Sequence, residues 1–582
     1  MNLKIREQAQ EIFNKISEIF LLYLLQVAAK RSLKSLQKDT VNAVSVQQKL
    51  LRNILKLQKD TEYSKKYNLA AIGSVAEFQR IHPLTTYENY REIIEDIAKS
   101  GNFSQLVAEP IILFQETSGT TGKSKLIPRT KRLLSTSQKS FQAINAIARS
   151  YYLNGKAYAK NSLGLALASA QPLKSTPSGI PRGSGTSGGI RQSKLFQKIV
   201  SLNFSSPISI FLIPDYRSAY YCHMLFALLE PKLTYITANF ASNVLDALQI
   251  LEREWSQIIN DIYHGQINSN LELDTATRNE LQNRLKPNPE KSNTLRTEFE
   301  KGFEGIIPRI WPQLSNIQCI ITGSLQLYKE SLKFYAGEIP IYSHGYGASE
   351  AWIGCNLEPQ KDSPAYVITP HSAFFEFIPI SQIDAEKPTT VDLTSLEVGE
   401  SYELVVTTVA GLYRYRMGDI VKCVGYYNQS PMIEFLYRQG SLLNISGVKI
   451  SENEIFAAIT EACKIWGDDC KIIDYTTSID VSSFPLSYII YLEVSKIFTI
   501  LPDLTSFQDK FEQIIYDLNV LYLNTRKANI IGAPEIKLVE RDSFKMFKNQ
   551  MISQGTSEAQ FKMPRLLKNV EQINFIESKS LN

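Results

Sequence analysis

Thr117-Ser118-Gly119-Thr120-Thr121-Gly122-Lys123-Ser124-Lys125 sets hydroxyls, glycines and two lysines between a short apolar run, Ile111 to Phe114, and a helical pattern that resumes after Pro128. Glycines let a backbone turn sharply, so that successive amides and hydroxyls point at phosphate oxygens while lysines add mobile cations. Only two residues separate Gly119 from Gly122, a shorter spacing than the nucleotide-hydrolase P-loop requires, which excludes that motif. Strand, loop and helix in that order predict an α/β layer built around a phosphate-binding turn.

Outward from this loop the pattern stays mixed. Residues 1 to 100 read as helices rich in Leu, Ile, Lys and Glu, ending in the turn His82-Pro83-Leu84-Thr85-Thr86-Tyr87. Leu163 to Ala170, Ile208 to Ile213 and Ile317 to Ile321 have strand length, and Val244 to Ile262 is helical. Lys174 to Ile190 is dense in Gly, Ser and Pro, which predicts a mobile surface loop or, as the sharper alternative, a loop closing over a substrate. After Pro364 the sequence turns β-rich, with strands expected at Phe374 to Ile380, Ser401 to Thr408, Asp419 to Tyr426 and Met432 to Tyr437. Beyond Arg438 it alternates again: helix at Glu452 to Ala462, strand at Leu486 to Val494, helix at Phe507 to Tyr522, strand at Glu535 to Val539. A chain of 582 residues exceeds one hydrophobic core. The expected division is a large domain at residues 1–438 and a small one at 439–582.

An apolar content of 44% with 21% charged residues fits a soluble globular protein, and the net charge of +5 arises from mixed charges without the basic runs that nucleic-acid binding calls for. Six scattered cysteines form neither a disulfide framework nor paired metal-ligand spacing, which points to a reducing cytoplasm. Ile19 to Leu25 is strongly apolar but too short for a transmembrane segment, and the acidic residues before it argue against a signal peptide; a core-facing helix is expected. The five histidines are not spaced for metal binding, and His344 reads as a core or turn residue.

Further stretches extend the phosphate-loop reading. They are Tyr346-Gly347-Ala348-Ser349-Glu350 followed by Ala351-Trp352-Ile353-Gly354, Gly411-Leu412-Tyr413-Arg414 leading into Tyr415-Arg416-Met417-Gly418-Asp419, and Gln554-Gly555 with Gln560-Phe561-Lys562-Met563-Pro564-Arg565. In this order they resemble the adenylate-forming superfamily of acyl-CoA synthetases, firefly luciferases and peptide-synthetase adenylation domains. The resemblance is closest to its branch of plant auxin-responsive acyl-acid amido synthetases and their bacterial relatives, and it spans roughly Pro83 to Arg565.

The resemblance implies an α/β fold with a large multi-layer N-terminal domain, a β-rich subdomain and a small mobile α+β C-terminal domain. It implies ATP and Mg as cofactors, and a carboxylic acid and an amine, expected to be that of an amino acid, as small-molecule partners joined through an acyl-adenylate. Thr117, Ser118, Gly119, Thr120, Thr121, Gly122, Lys123 and Lys125 would hold phosphates; Tyr346, Gly347, Ala348 and Ser349 would form the adenine segment; Glu350 would bind Mg; Asp419, with Arg438, would meet the ribose; and Lys562 would stabilise the transition state at the α-phosphate. The plainer alternatives are solvated loop charges for Lys123 and Lys125, a helix-starting acid for Glu350, a turn aspartate for Asp419 and a surface lysine for Lys562. Arg438 is followed by Gln439, Gly440 and Ser441 where other branches place an aspartate, and Asn444 stands where many carry a lysine. Thioester formation and a non-catalytic nucleotide-binding relative remain open alternatives to amide formation.

Overall fold

The computed structural model describes residues 2–117, 125–152, 163–322, 328–361, 363–439, 443–445, 448–480, 485–498, 502–554, 556 and 561–581. A larger N-terminal part is built on three sheets. The first is wholly parallel, with Leu163–Leu167, Leu233–Phe240, Asn316–Ile320 and Ile341–Tyr342 side by side. Its strands are apolar runs because helices such as Tyr216–Leu229 and Ala241–His264 pack on it, and Leu225, Leu248, Ile259 and Ile317 share one core.

The second sheet is antiparallel and eight-stranded, running in space from Val391–Asp392 through Phe374–Pro379, Ser401–Thr407, Tyr415–Tyr427, Ser430–Arg438, Tyr366–Ile368 and Trp352–Cys355 to Gly345–Gly347. Helices Ala43–Leu57 and Glu88–Ser100 bury Leu51 and Ile94 in the core that Phe377 and Val421 supply from this sheet. The third sheet sets Lys125–Thr130, Ile111–Thr117, Pro181–Gly183 and Lys174–Ser175 side by side. Near the C-terminus a smaller unit pairs Ile472–Asp480 with Ser487–Val494 and Glu535–Leu538, and helices Glu452–Cys463 and Leu504–Leu518 complete a separate core around Ile459, Phe511 and Leu492.

A buried brace joins the lead-in helices to the large antiparallel sheet. Arg414 donates to both carboxylate oxygens of Glu376 at 3.0–3.2 Å, to the Gln79 and His82 carbonyls at 2.7 and 2.8 Å, and to Thr390 Oγ1 at 3.0 Å. Beside it, Gly411 takes φ 87°, and a side chain there would meet Leu106 and Val107 at 2.8 Å. Gly411 to Arg414 is therefore a packing element, with the Tyr413 ring stacked on Tyr63 at 5.2 Å.

Several sequence expectations need correction. A second strand, Lys125–Thr130, intervenes between the loop and helix Lys131–Tyr152, so the order is strand, loop, strand, helix. Lys174 to Ile190 is not a surface loop: it contributes two short strands and the start of helix Gly185–Gln192, where Ser184 Oγ accepts the Ser187 amide as N-cap. Ile208 to Ile213 forms a helix, Ile208–Phe211, since a short buried apolar run has no period that separates helix from strand. Phe507 to Tyr522 breaks at Asn519, whose side chain caps a second helix, Val520–Lys527. Ile19 to Leu25 is helical, but Ile19, Phe20, Tyr23 and Leu24 are 45–60% exposed, because helix Asn2–Val41 is buried mainly further along, where Leu36 meets Ala143 and Ile144.

Candidate active site

Strands Ile111–Thr117 and Lys125–Thr130 are antiparallel neighbours, and Thr117 and Lys125 are register partners, so the two ends of the phosphate-loop sequence face each other. Ser118, Gly119, Thr120, Thr121, Gly122 and Lys123 lie outside the described residues. Lys125 is half-buried, its Nζ 5.6 Å from the centre of the Tyr87 ring. Burial lowers the pKa of its ammonium, and the charge of Glu350 opposes that shift.

Tyr346 and Gly347 lie on the edge strand Gly345–Gly347, Gly347 against the Trp352 ring and Tyr346 against Tyr366 and Phe435, and the chain then turns tightly, the Ala348 amide bonding the Ala351 carbonyl at 2.9 Å. Ser349 Oγ accepts from Gln115 Nε2 at 2.9 Å and its carbonyl accepts from Arg129 Nη1 at 3.3 Å, which ties this turn to the strands flanking the loop. Glu350 is buried and starts no helix; its charge acts on Lys125, Arg129 and Arg438, and it raises the pKa of the Tyr415 hydroxyl beyond what burial does.

Asp419 is 2% exposed and sits inside strand Tyr415–Tyr427, not in a turn. Tyr346 Oη donates to its Oδ2 and Arg438 Nε to its Oδ1, both at 2.5 Å. The Asp419 carboxylate raises the pKa of the Arg438 guanidinium, and burial followed by the same carboxylate raises that of the Tyr346 hydroxyl. Gly418, at φ 73°, supplies the backbone kink before Asp419 that a side chain would strain.

Lys562 reaches this group from the C-terminal unit. Its Nζ lies 4.5 Å from the centre of the Phe240 ring, a cation–π distance, at the carboxyl end of the parallel strand Leu233–Phe240. The side chain is exposed to solvent, while the protein crowded around it lowers the pKa of its ammonium. Arg438 lowers it further, while Asp419 and Glu452 act in the opposite sense.

The structure thus brings Lys125, Tyr346, Ser349, Glu350, Asp419, Arg438 and Lys562 around one cleft. It also adds residues the sequence reading missed: Gln115, Arg129 and Phe240, and it sets Tyr415, quoted with the Asp419 stretch but given no role, beside Glu350. Strand alternation from Lys125 puts Arg129 on the same face, a signal that was available; burial lowers its pKa, and its neighbour is Glu350. Phe240 carries no local motif. Among the described residues no cluster of three acidic, histidine or cysteine side chains forms a metal cage. Glu350, a buried carboxylate among cations, suits Mg, which is usually held by one or two carboxylates together with substrate phosphates. His344 is buried with its Nδ1 unpaired, and burial pulls its pKa down to about 4.

Comparison with known proteins matches the chain to the GH3 family N-terminal domain over residues 32–341, its central domain over 366–438 and its C-terminal domain over 453–571. The jasmonoyl–L-amino acid synthetase JAR4 of Nicotiana attenuata is 31% identical over 540 residues, covering 90% of this chain and 91% of that one. The putative indole-3-acetic acid-amido synthetase GH3.9 of Arabidopsis thaliana is 33% identical over 92% of this chain and 94% of its own. Among solved structures, the GH3.15 acyl acid amido synthetase superposes with a TM-score of 0.85 at 29% identity, covering 94% of this chain and 96% of that one.

Proposed function

Because this chain belongs to the GH3 family, we propose that it activates a carboxylic acid with ATP as an acyl-adenylate and then passes the acyl group to the amine of an amino acid, releasing AMP and pyrophosphate. The observation that carries the reading is the placement of Lys562, from the C-terminal unit, with its Nζ 4.5 Å from the centre of the Phe240 ring at the carboxyl end of a parallel strand of the large unit. Full-length similarity to acyl-acid amido synthetases supports the amine as acceptor.

Activation needs the substrate carboxylate to attack the α-phosphorus while pyrophosphate leaves, so the site must spread negative charge and needs no protein nucleophile. Asp419, fixed by Tyr346 and Arg438, has lone pairs left to accept the ribose hydroxyls. Lys125 and the loop from Thr117 hold the phosphates, and the Tyr346 to Ser349 turn receives the adenine. Lys562 places its ammonium against the charge that develops at the α-phosphate, which requires the unit at residues 439–582 to close on the unit at 1–438. Glu350 is the residue to hold Mg, which when bound neutralises phosphate charge. A cytoplasmic setting agrees with six free, buried cysteines.

The test is product analysis with ATP, a carboxylic-acid panel headed by jasmonate and indole-3-acetate, and either amino acids or coenzyme A as acceptor. The expected product is an amide that survives hydroxylamine; a hydroxylamine-labile thioester formed only with coenzyme A would overturn the assignment of the second step.

A further inference from the structure

Two contacts fasten the C-terminal unit to the large one around Lys562. Asp474, on strand Ile472–Asp480, is 6% exposed and is gripped from both sides. Arg565 Nη1 pairs with its Oδ1 and also bonds the Tyr475 carbonyl, while Tyr328, at the start of helix Tyr328–Ala336 of the large unit, donates to its Oδ2 at 3.1 Å. The backbone beyond Arg565 is laid along the same strand: the Thr477 amide bonds the Arg565 carbonyl at 3.0 Å and the Leu567 amide bonds the Thr477 carbonyl at 2.7 Å. Lys562 stands just ahead of this pinned segment.

The second contact lies at the strand-to-helix junction that carries Phe240. Asp246, in helix Ala241–His264, pairs with Lys548 Nζ at 2.7 Å, and that ammonium also lies 5.2 Å from the centre of the Tyr216 ring. The junction that supplies the ring under Lys562 is therefore itself clamped to helix Ser543–Ser553 of the C-terminal unit. A positioned cation needs such supports, because a displacement of about 1 Å in a reacting group is enough to cost much of its effect.

We propose that Tyr328, acting through Asp474 and Arg565, and Asp246, acting through Lys548, are positioning residues that hold Lys562 in the cleft. Neither touches the reacting atoms. The proposal rests on the nucleotide-site reading above, and its test separates the two by an internal control and needs no knowledge of the acid.

Pyridoxal 5′-phosphate, a phosphate-bearing aldehyde, is offered to the full-length protein; the imines are fixed with borohydride and the modified lysines located by peptide mass spectrometry. In the wild type Lys562 and Lys125 are labelled, and excess MgATP suppresses both. Tyr328→Phe and Asp246→Asn each reduce labelling of Lys562 by about fivefold, the effect of one lost hydrogen bond, while Lys125 changes by less than about twofold. Asp246→Glu, which keeps the ion pair, restores Lys562. Unchanged Lys562 labelling in both variants, or a parallel fall at Lys562 and Lys125, overturns the positioning role. Absence of ATP-protected labelling at either lysine in the wild type overturns the nucleotide-site reading, and this proposal with it.

Discussion

Asp419 and Arg438 are register partners on adjacent antiparallel strands, and Arg438 Nε donates to Asp419 Oδ1 at 2.5 Å. The strand pairing delivers the arginine at the end of its strand to a carboxylate that Tyr346 holds from the other side. Asp419 is thus oriented by two donors, one on each carboxylate oxygen, which leaves each oxygen a further lone pair with which to accept.

Replacing Asp419 by Asn removes the charge that Arg438 neutralises and halves the acceptor capacity. ATP affinity, measured by equilibrium binding, is expected to fall by about tenfold or more, equivalent to about 1.4 kcal/mol. Arg438→Met should weaken binding less, because Tyr346 still orients the carboxylate. Wild-type ATP affinity in Asp419→Asn would remove Asp419 from the nucleotide site.

Glu350→Gln keeps the shape of the side chain and removes its charge. The Mg concentration giving half-maximal rate is expected to rise by about tenfold. ATP binding measured without divalent cation should improve or hold, since Lys125 and Arg129 lose a competing anion. An unchanged Mg requirement would place the metal elsewhere.

The Arg414 to Glu376 brace predicts a change in stability without a change in chemistry. The two side chains are 7% and 1% exposed, and removing one partner of such a buried pair costs about 3–5 kcal/mol. Glu376→Leu should lower the unfolding midpoint accordingly while the folded fraction keeps its ATP affinity. A loss of ATP affinity at full stability would mean that Gly411 to Arg414 contributes directly to the site.

How much of this was readable in the sequence depends on where each residue's partners lie. Tyr346 to Glu350 and Asp419 announce themselves because each stretch places several functional groups in a few consecutive residues. Arg438 was named, but its pairing with Asp419 depends on strand register. Phe240 is an ordinary apolar residue at the end of an apolar strand, and only the tertiary packing of the C-terminal segment puts Lys562 over it. Glycine and serine density concealed the helix Gly185–Gln192, since the Ser184 cap and packing supply what propensity does not. The short run Ile208 to Phe211 was ambiguous for a different reason: burial on all sides erases periodicity.

His82, His223 and His344 are buried, and burial lowers the pKa of each to about 4. The unfolded chain takes up protons near pH 6.5, before the folded one does, so the stability these groups permit is complete above that pH and is lost as pH falls toward about 4. The full effect is on the order of 3 kcal/mol for each histidine. Denaturant unfolding at pH 7 and pH 4.5 should show this loss, and His344→Leu, which removes one such group, should flatten it. An identical pH dependence in wild type and variant would mean that His344 is not held neutral by burial.

The most direct test of the central claim is exchange of labelled pyrophosphate into ATP, run over a panel of carboxylic acids with the wild type and with Lys562→Ala. The expected result is acid-dependent exchange in the wild type that falls by at least about a hundredfold in Lys562→Ala, with ATP affinity falling far less. ATP binding without exchange for any acid, or equal exchange in the two proteins, would contradict it.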